Sequence, residues 1–166
     1  GFFLISFTIV DTFIYMTYIL RIIKYSKIFG VGRTGIENLD KIFKPKSITV
    51  IGASNRIGSA GYRIFRNLIG SEYDGVVYPI NPKYESIQGV QSYKSIEELP
   101  KTPDLAVIVT PAKVVIDVVE QCGKKGIKGI LIISAGFKEI GEEGKKLEKK
   151  LEDTRKKYGI RIVGPN

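Results

Sequence analysis

The sequence predicts an α/β domain built on a parallel sheet, and three observations point there. Short apolar runs alternate with longer stretches of helical period. The runs are continuously apolar, which suits strands covered on both faces. Glycine or proline punctuates most of the junctions, where a strand must turn into a helix.

The elements follow in order. SITVI (47–51) is the first strand, and 58–68 is a helix with Gly61, Ile64, Phe65 and Leu68 on one face. GVVYPI (75–80) is the second strand, ended by Pro82. SIEEL (95–99) carries a capping box, Ser95 with Glu98, and predicts a short helical turn. LAVIVT (105–110) is the third strand. Thr110 is expected to cap the next helix, with Pro111 as its first residue. That helix runs to about Lys125, with Val114, Val115, Val118, Val119 and Cys122 inward. GILIIS (129–134) is the fourth strand. A helix over 142–158 is expected to bury Leu147, Leu151 and Tyr158, and IRIVG (160–164) is the fifth strand. Right-handed crossovers between such strands give a Rossmann-like doubly wound parallel sheet with helices on both faces.

Composition narrows the chemistry. The 166 residues are 43% apolar and 26% charged, which is globular and suits one domain. The sequence holds no histidine, which removes Ser-His-Asp and Cys-His catalysis, phosphohistidine chemistry and the commonest metal ligand. Cys122, the single cysteine, is expected to be a small buried helix residue, and a reducing cytoplasm is the natural compartment. The net charge of +9 suits an anionic partner. Much of the excess lies in GKKLEKKLEDTRKKYG, where lysine and glutamate mix; a solvated helix face explains that run, and nucleic acid is not expected.

Residues 1–38 differ from the rest. Positions 1–23 are almost wholly apolar, about long enough to cross a bilayer, and Lys24, Lys27 and Arg33 follow. The chain begins at Gly1, so a fragment or processed product is expected. The stretch reads either as a membrane segment or as a non-native leader, and a membrane partner is expected only in the first case. Residues 39–166 form the predicted domain.

In a doubly wound sheet, ligands bind at the carboxyl ends of the strands. After the first strand comes GASNRIGSAG. Gly52 permits a tight turn, Ser54 and Asn55 offer side-chain donors, and the helix start favours an anion. Gly61 allows the helix to pack closely on the strand. The alternative is an ordinary strand-to-helix turn. The second strand leads to YPINPKY, with Lys83 where a dinucleotide site wants a carboxylate for the ribose. That disfavours NAD and leaves NADP open. Thr110-Pro111 and Ser134-Ala135-Gly136 complete a groove of backbone amides and small residues. Asp104, Glu139, Glu142 and Glu143 form no acid/base pair at these ends, and no metal cluster or Walker loop is present. The residues argue for binding, not catalysis.

The stretches IFKPKSITVIGASNRIGSAGYRIFRNL, VVYPINPKYESIQGVQSYKSIEELP, DLAVIVTPAKVVIDVVEQCGKKGIKGILIISAGFKE and YGIRIVGPN resemble the N-terminal CoA-binding domain of the NDP-forming acyl-CoA synthetases. That family includes ADP-forming acetyl-CoA synthetase and relatives of the succinyl-CoA synthetase α subunit. The resemblance runs from about Leu39 to Asn166. It implies CoA or acyl-CoA in the groove. Ser54, Asn55, Arg56 and Ile57, beyond Gly52, would hold the nucleotide end, and Lys83 would meet a phosphate. Thr110 and Pro111 would line the groove, and Ile133, Ser134 and Ala135 would follow the pantetheine arm. The family interconverts acyl-CoA, ADP and phosphate with acid, CoA and ATP. Its phosphohistidine, and its ATP-grasp site for ATP or ADP with Mg, would lie on further domains or a second subunit. With no histidine, this chain is expected to bind CoA and catalyse nothing alone. Two other readings stay open: an NADP-binding or redox-sensing module, and the similar domain of protein lysine acetyltransferases.

Overall fold

The computed structural model describes residues 38–134 and 142–164. The reading of residues 1–38 therefore falls outside the described residues, except at Asn38. The Asn38 side chain donates to the Gly159 carbonyl at 3.1 Å.

Among the described residues, four helices and seven strands follow one another: α1 (Leu39–Phe43), β1 (Ser47–Ile51), α2 (Ala60–Ile69), β2 (Val76–Ile80), β3 (Ser86–Ile87), β4 (Val90–Gln91), β5 (Leu105–Ile108), α3 (Ala112–Lys125), β6 (Gly129–Ile132), α4 (Glu142–Tyr158) and β7 (Arg161–Val163). The main sheet is parallel, in the order β2-β1-β5-β6-β7. The five predicted strands and three predicted helices are all present, and the architecture is the expected α/β one.

Side chains alternate across each strand, and the core divides accordingly. Ile51, Ile108, Ile130 and Ile132 pack under α3 and α4 with Val115, Val119, Cys122 and Leu151. Ile48, Val50 and Val107 pack on the other face with Ile42 of α1 and Ile64, Phe65 and Leu68 of α2. Burying each such side chain contributes about 1.5–3 kcal/mol. Buried Thr49 satisfies its hydroxyl on the Tyr78 carbonyl at 2.9 Å.

The buried face of α2 is the expected Gly61, Ile64, Phe65 and Leu68. On α3, Val115, Val119 and Cys122 are buried as expected, while Val114 and Val118 lie half-buried at the stripe's edge. On α4, Leu151 is buried and Leu147 and Tyr158 are half-buried. The Tyr158 ring takes the space over Gly123, where a Cβ would come within 2.5 Å of it.

Three expectations need correction. The 95–99 stretch makes the short turn expected, Leu99 N–H donating to Ile96 O at 3.3 Å with Pro100 barring continuation, but not the Ser95–Glu98 capping box. Glu98 does fold back, but onto the Lys94 N–H at 3.0 Å. Thr110 does not cap α3; Pro111 holds the N-cap position with extended backbone, and the helix starts at Ala112. Strands β5 and β6 end at Ile108 and Ile132, two residues early, although the Val109 and Ile133 N–H groups still donate to Ile51 O and Ile108 O, each at 2.9 Å. The β3–β4 hairpin was not anticipated. Gln88 and Gly89 form its turn with φ of 51° and 83°, the left-handed pair that a two-residue hairpin needs.

Candidate functional site

The sheet order has its reversal between β1 and β5, since β2 lies on one side of β1 and β5 on the other. That switch point opens a crevice between the loops leaving the two strands. Gly52 ends β1 with φ 93°. A Cβ there would stand 2.9 Å from the Val109 carbonyl and 3.3 Å from the Thr110 methyl, so only glycine lets the two strand ends meet. A Cβ on Gly61 would collide with the Gly52 carbonyl. The start of α2 is thereby pressed against the loop, as the glycine spacing implied.

The loop after β1 is held mostly by itself. Ser54 Oγ accepts from the Arg56 N–H at 3.0 Å, and Ser59 Oγ donates to the Arg56 carbonyl at 2.7 Å. Ser59, not an earlier residue, caps α2 by accepting from the Tyr62 N–H at 3.2 Å. The α2 N-terminus and its dipole therefore face this loop. Arg56 is exposed, and Ile57 is 82% exposed at the tip.

Asn55 behaves differently from expectation. Its amide nitrogen donates to the Ser86 carbonyl at 2.9 Å, and its oxygen accepts from the Gln88 N–H at 2.9 Å. Gln88 Nε2 reaches the Tyr62 carbonyl at 3.0 Å. The Asn55 carboxamide is thus spent on latching the loop to the hairpin.

Lys83 stands exposed on the neighbouring loop, after β2. Asn81, which the sequence reading passed over, bridges the two loops. It donates to the Ala53 carbonyl at 2.8 Å and accepts from the Lys83 N–H at 3.0 Å. The signal was the N-P-K triplet, since asparagine two residues before an amide favours such a turn.

On the far side of the crevice, Thr110 and Ser134 each lie two residues beyond the paired Ile108 and Ile132. Both hydroxyl oxygens, Thr110 Oγ1 and Ser134 Oγ, are buried without a hydrogen-bond partner among the described residues. Pro111 is exposed, Ile133 is 41% exposed, and Ala135 lies outside the described residues. The structure thus gathers Gly52, Ser54, Thr110 and Ser134 at the ends of adjacent strands. Arg56, Ile57, Lys83, Pro111 and Ile133 stand on the exposed rim.

Other places carry less chemistry. A hollow of about 520 Å³ lies at the opposite sheet edge, lined by Glu148, Leu151, Glu152, Arg155, Arg161, Ile162 and Gly164. There Arg155 pairs with Glu152 at 2.6 Å and holds its carboxyl down to about 2, so the charges answer one another. Among the described residues, no group of three acidic, cysteine or histidine side chains is placed for a metal ion. No helix among them is long and apolar enough to cross a membrane. Burial pushes the Cys122 thiol up to about 12, which leaves it a packing residue.

Comparison with known proteins bears on the family and the fold. The family model for a CoA binding domain matches residues 46–166. The α subunit of an ADP-forming acetate–CoA ligase (form II) from Pyrococcus furiosus is 53% identical over 129 residues, which are 77% of this chain and 28% of that protein. An ADP-forming 4-hydroxybutyrate–CoA ligase from Nitrosopumilus maritimus is 50% identical over 125 residues, or 75% of this chain and 18% of that one. A crystal structure of a Pyrococcus horikoshii OT3 protein superposes with a TM-score of 0.73 at 53% identity, over 77% of this chain and 29% of the other. The chain therefore spans less than a third of the length of each.

Proposed function

The chain belongs to the CoA binding domain family, and we propose that its switch-point crevice holds coenzyme A within a longer ADP-forming acyl-CoA ligase. The observation that carries this reading is the pair of buried hydroxyls on Thr110 and Ser134 that have no partner among the described residues. A buried polar group without a partner costs about 1–3 kcal/mol, so such a pair calls for a polar ligand. The pantetheine arm of CoA offers two amides and a hydroxyl on a slender chain. A slender chain suits a crevice so narrow that a Cβ on Gly52 would stand 3.3 Å from the Thr110 methyl.

The rest of the crevice suits the nucleotide end. Lys83 and Arg56 supply positive charge beside the N-terminus of α2, a combination that favours phosphates. Ile57 and Ile133 offer exposed apolar surface to the adenine ring and the pantetheine methyls. Asn55 acts on this reading by fixing the loop, not by touching CoA. Ala135 remains a proposed pantetheine neighbour.

The residues bind, orient and shield; none is placed to move a phosphoryl group. In the longer protein, acyl-CoA, ADP and phosphate would be interconverted with acid, CoA and ATP. The nucleotide, its Mg and a phosphohistidine would be held by other domains or a partner subunit, since this sequence contains no histidine. Cytoplasm is the compartment where these substrates meet. The acyl group would be chosen outside this domain, because ligases named for acetate and for 4-hydroxybutyrate resemble it almost equally, at 53% and 50% identity.

Calorimetric titration of the chain with CoA, dephospho-CoA and NADPH tests the reading. Saturable CoA binding, weakened by Lys83→Ala, is the expected result. Clear NADPH binding without CoA binding would replace it with the redox-module alternative.

A further inference from the structure

Asn81 lies one residue past β2, half-buried, and both ends of its carboxamide are engaged. Nδ2 donates to the Ala53 carbonyl at 2.8 Å, and Oδ1 accepts from the Lys83 N–H at 3.0 Å. Its backbone N–H donates to the Tyr93 carbonyl at 3.0 Å, and its own carbonyl accepts from the Tyr84 N–H at 3.3 Å. Ala53 is fully buried, so its carbonyl is a fixed reference point beside the switch point. Pro82 restricts the backbone between Asn81 and Lys83. The start of the Lys83 side chain is thus set from two directions, by the proline before it and by the carboxamide on its N–H.

We propose that Asn81 is a positioning residue that acts through Lys83, fixing the backbone from which its side chain departs and so setting affinity for the phosphates of CoA. The inference rests on the CoA reading above. A lysine head on a flexible stem loses rotamer freedom when it meets a phosphate. Fixing the turn that carries the stem leaves that loss in place but removes the further cost of ordering the backbone when the ligand arrives. Both roles need a carboxamide: a donor toward Ala53 and an acceptor toward Lys83.

A double-mutant cycle tests it, with Asn81→Ala and Lys83→Ala singly and together in the full chain, CoA affinity read by calorimetry and folding by thermal melting. Asn81→Ala is expected to weaken CoA binding about fivefold to tenfold, the effect of one or two lost hydrogen bonds. In the Lys83→Ala background the same change is expected to weaken it less than twofold, because a residue acting through another is non-additive with it. Asn81→Ser keeps a short acceptor for the Lys83 N–H but cannot reach Ala53. It is expected to recover part of the loss, and it carries the same cycle should Asn81→Ala fail to fold. Equal losses in both backgrounds, or no loss at all, would overturn the assignment. Absence of CoA binding by the unmutated chain would instead overturn the CoA reading itself, and this inference with it.

Discussion

Replacing Thr110 by valine should move stability and affinity in opposite directions. Valine keeps the shape and the methyl that packs on Gly52, and removes only the hydroxyl. That hydroxyl oxygen is buried with no partner among the described residues. In the free protein it is therefore a cost, of about 1–3 kcal/mol for a fully desolvated group. Taking the lower end, because residue 110 as a whole is only half-buried, Thr110→Val should stabilise the free chain by about 1 kcal/mol. For a domain of this size that raises the melting midpoint by about 3–5 °C. With CoA bound, the hydroxyl has a partner, and its net contribution becomes favourable by about 0.5–1.5 kcal/mol. Adding the cost of about 1 kcal/mol that the variant escapes in the free chain, the affinity difference is about 1.5–2.5 kcal/mol, and the variant should bind CoA about twelve- to seventyfold more weakly. Scanning calorimetry of the free chain and titration with CoA measure the two halves independently. A variant that melts lower and binds CoA as before would refute the reasoning, since it would mean the hydroxyl serves the fold and not the ligand.

Gly52→Ala should cost about 2–4 kcal/mol, from a left-handed backbone and a Cβ 2.9 Å from the Val109 carbonyl, and should abolish CoA binding; denaturant unfolding and titration check both. Asp104 has its carboxyl pushed up by burial and pulled down further by Lys41 at 2.7 Å and the backbone N–H of Lys46 at 2.8 Å, leaving it below the usual aspartate value. A depressed carboxylate contributes stability that is present above its unfolded value, near 3.8, and lost as pH falls through the lower folded one. Asp104→Asn should therefore flatten the acid limb of the stability profile below about pH 4 and leave CoA binding at neutral pH unchanged. Cys122, buried in α3 with its thiol raised to about 12, should resist alkylation in the folded chain and react at the rate of unfolding, as mass spectrometry over a denaturant series would show.

What was legible in the sequence was what local chemistry dictates. Strands announced themselves as apolar runs, and α2 by the spacing of Gly61, Ile64, Phe65 and Leu68. Gly52 was readable because a tight turn after a buried strand needs a left-handed residue. Thr110 was misread as a cap because threonine before proline satisfies that local rule too. Only the three-dimensional setting shows the hydroxyl buried instead, with no partner among the described residues. Asn55 was likewise read as a free donor because its acceptor, Ser86, lies 31 residues away.

The misreadings share a cause that bears on function. Asn55 and Asn81 spend their carboxamides on bonds spanning 33 and 28 residues, joining the β1 loop to the hairpin and to the Lys83 turn. Such bonds have no periodicity and no composition signal, because a carboxamide fits any backbone it meets. They are nevertheless what turns three separate loops into one rigid rim. A phosphate-bearing ligand gains little from charge on loops that must first be ordered, since ordering offsets the attraction. The rim is assembled by these bonds, while the Thr110 and Ser134 hydroxyls behind it have no partner among the described residues. On the proposed reading, one side of the crevice takes the anionic end of the ligand, and a polar chain lies along the other. A molecule with a phosphate cluster at one end and an amide-bearing arm at the other meets both demands at once.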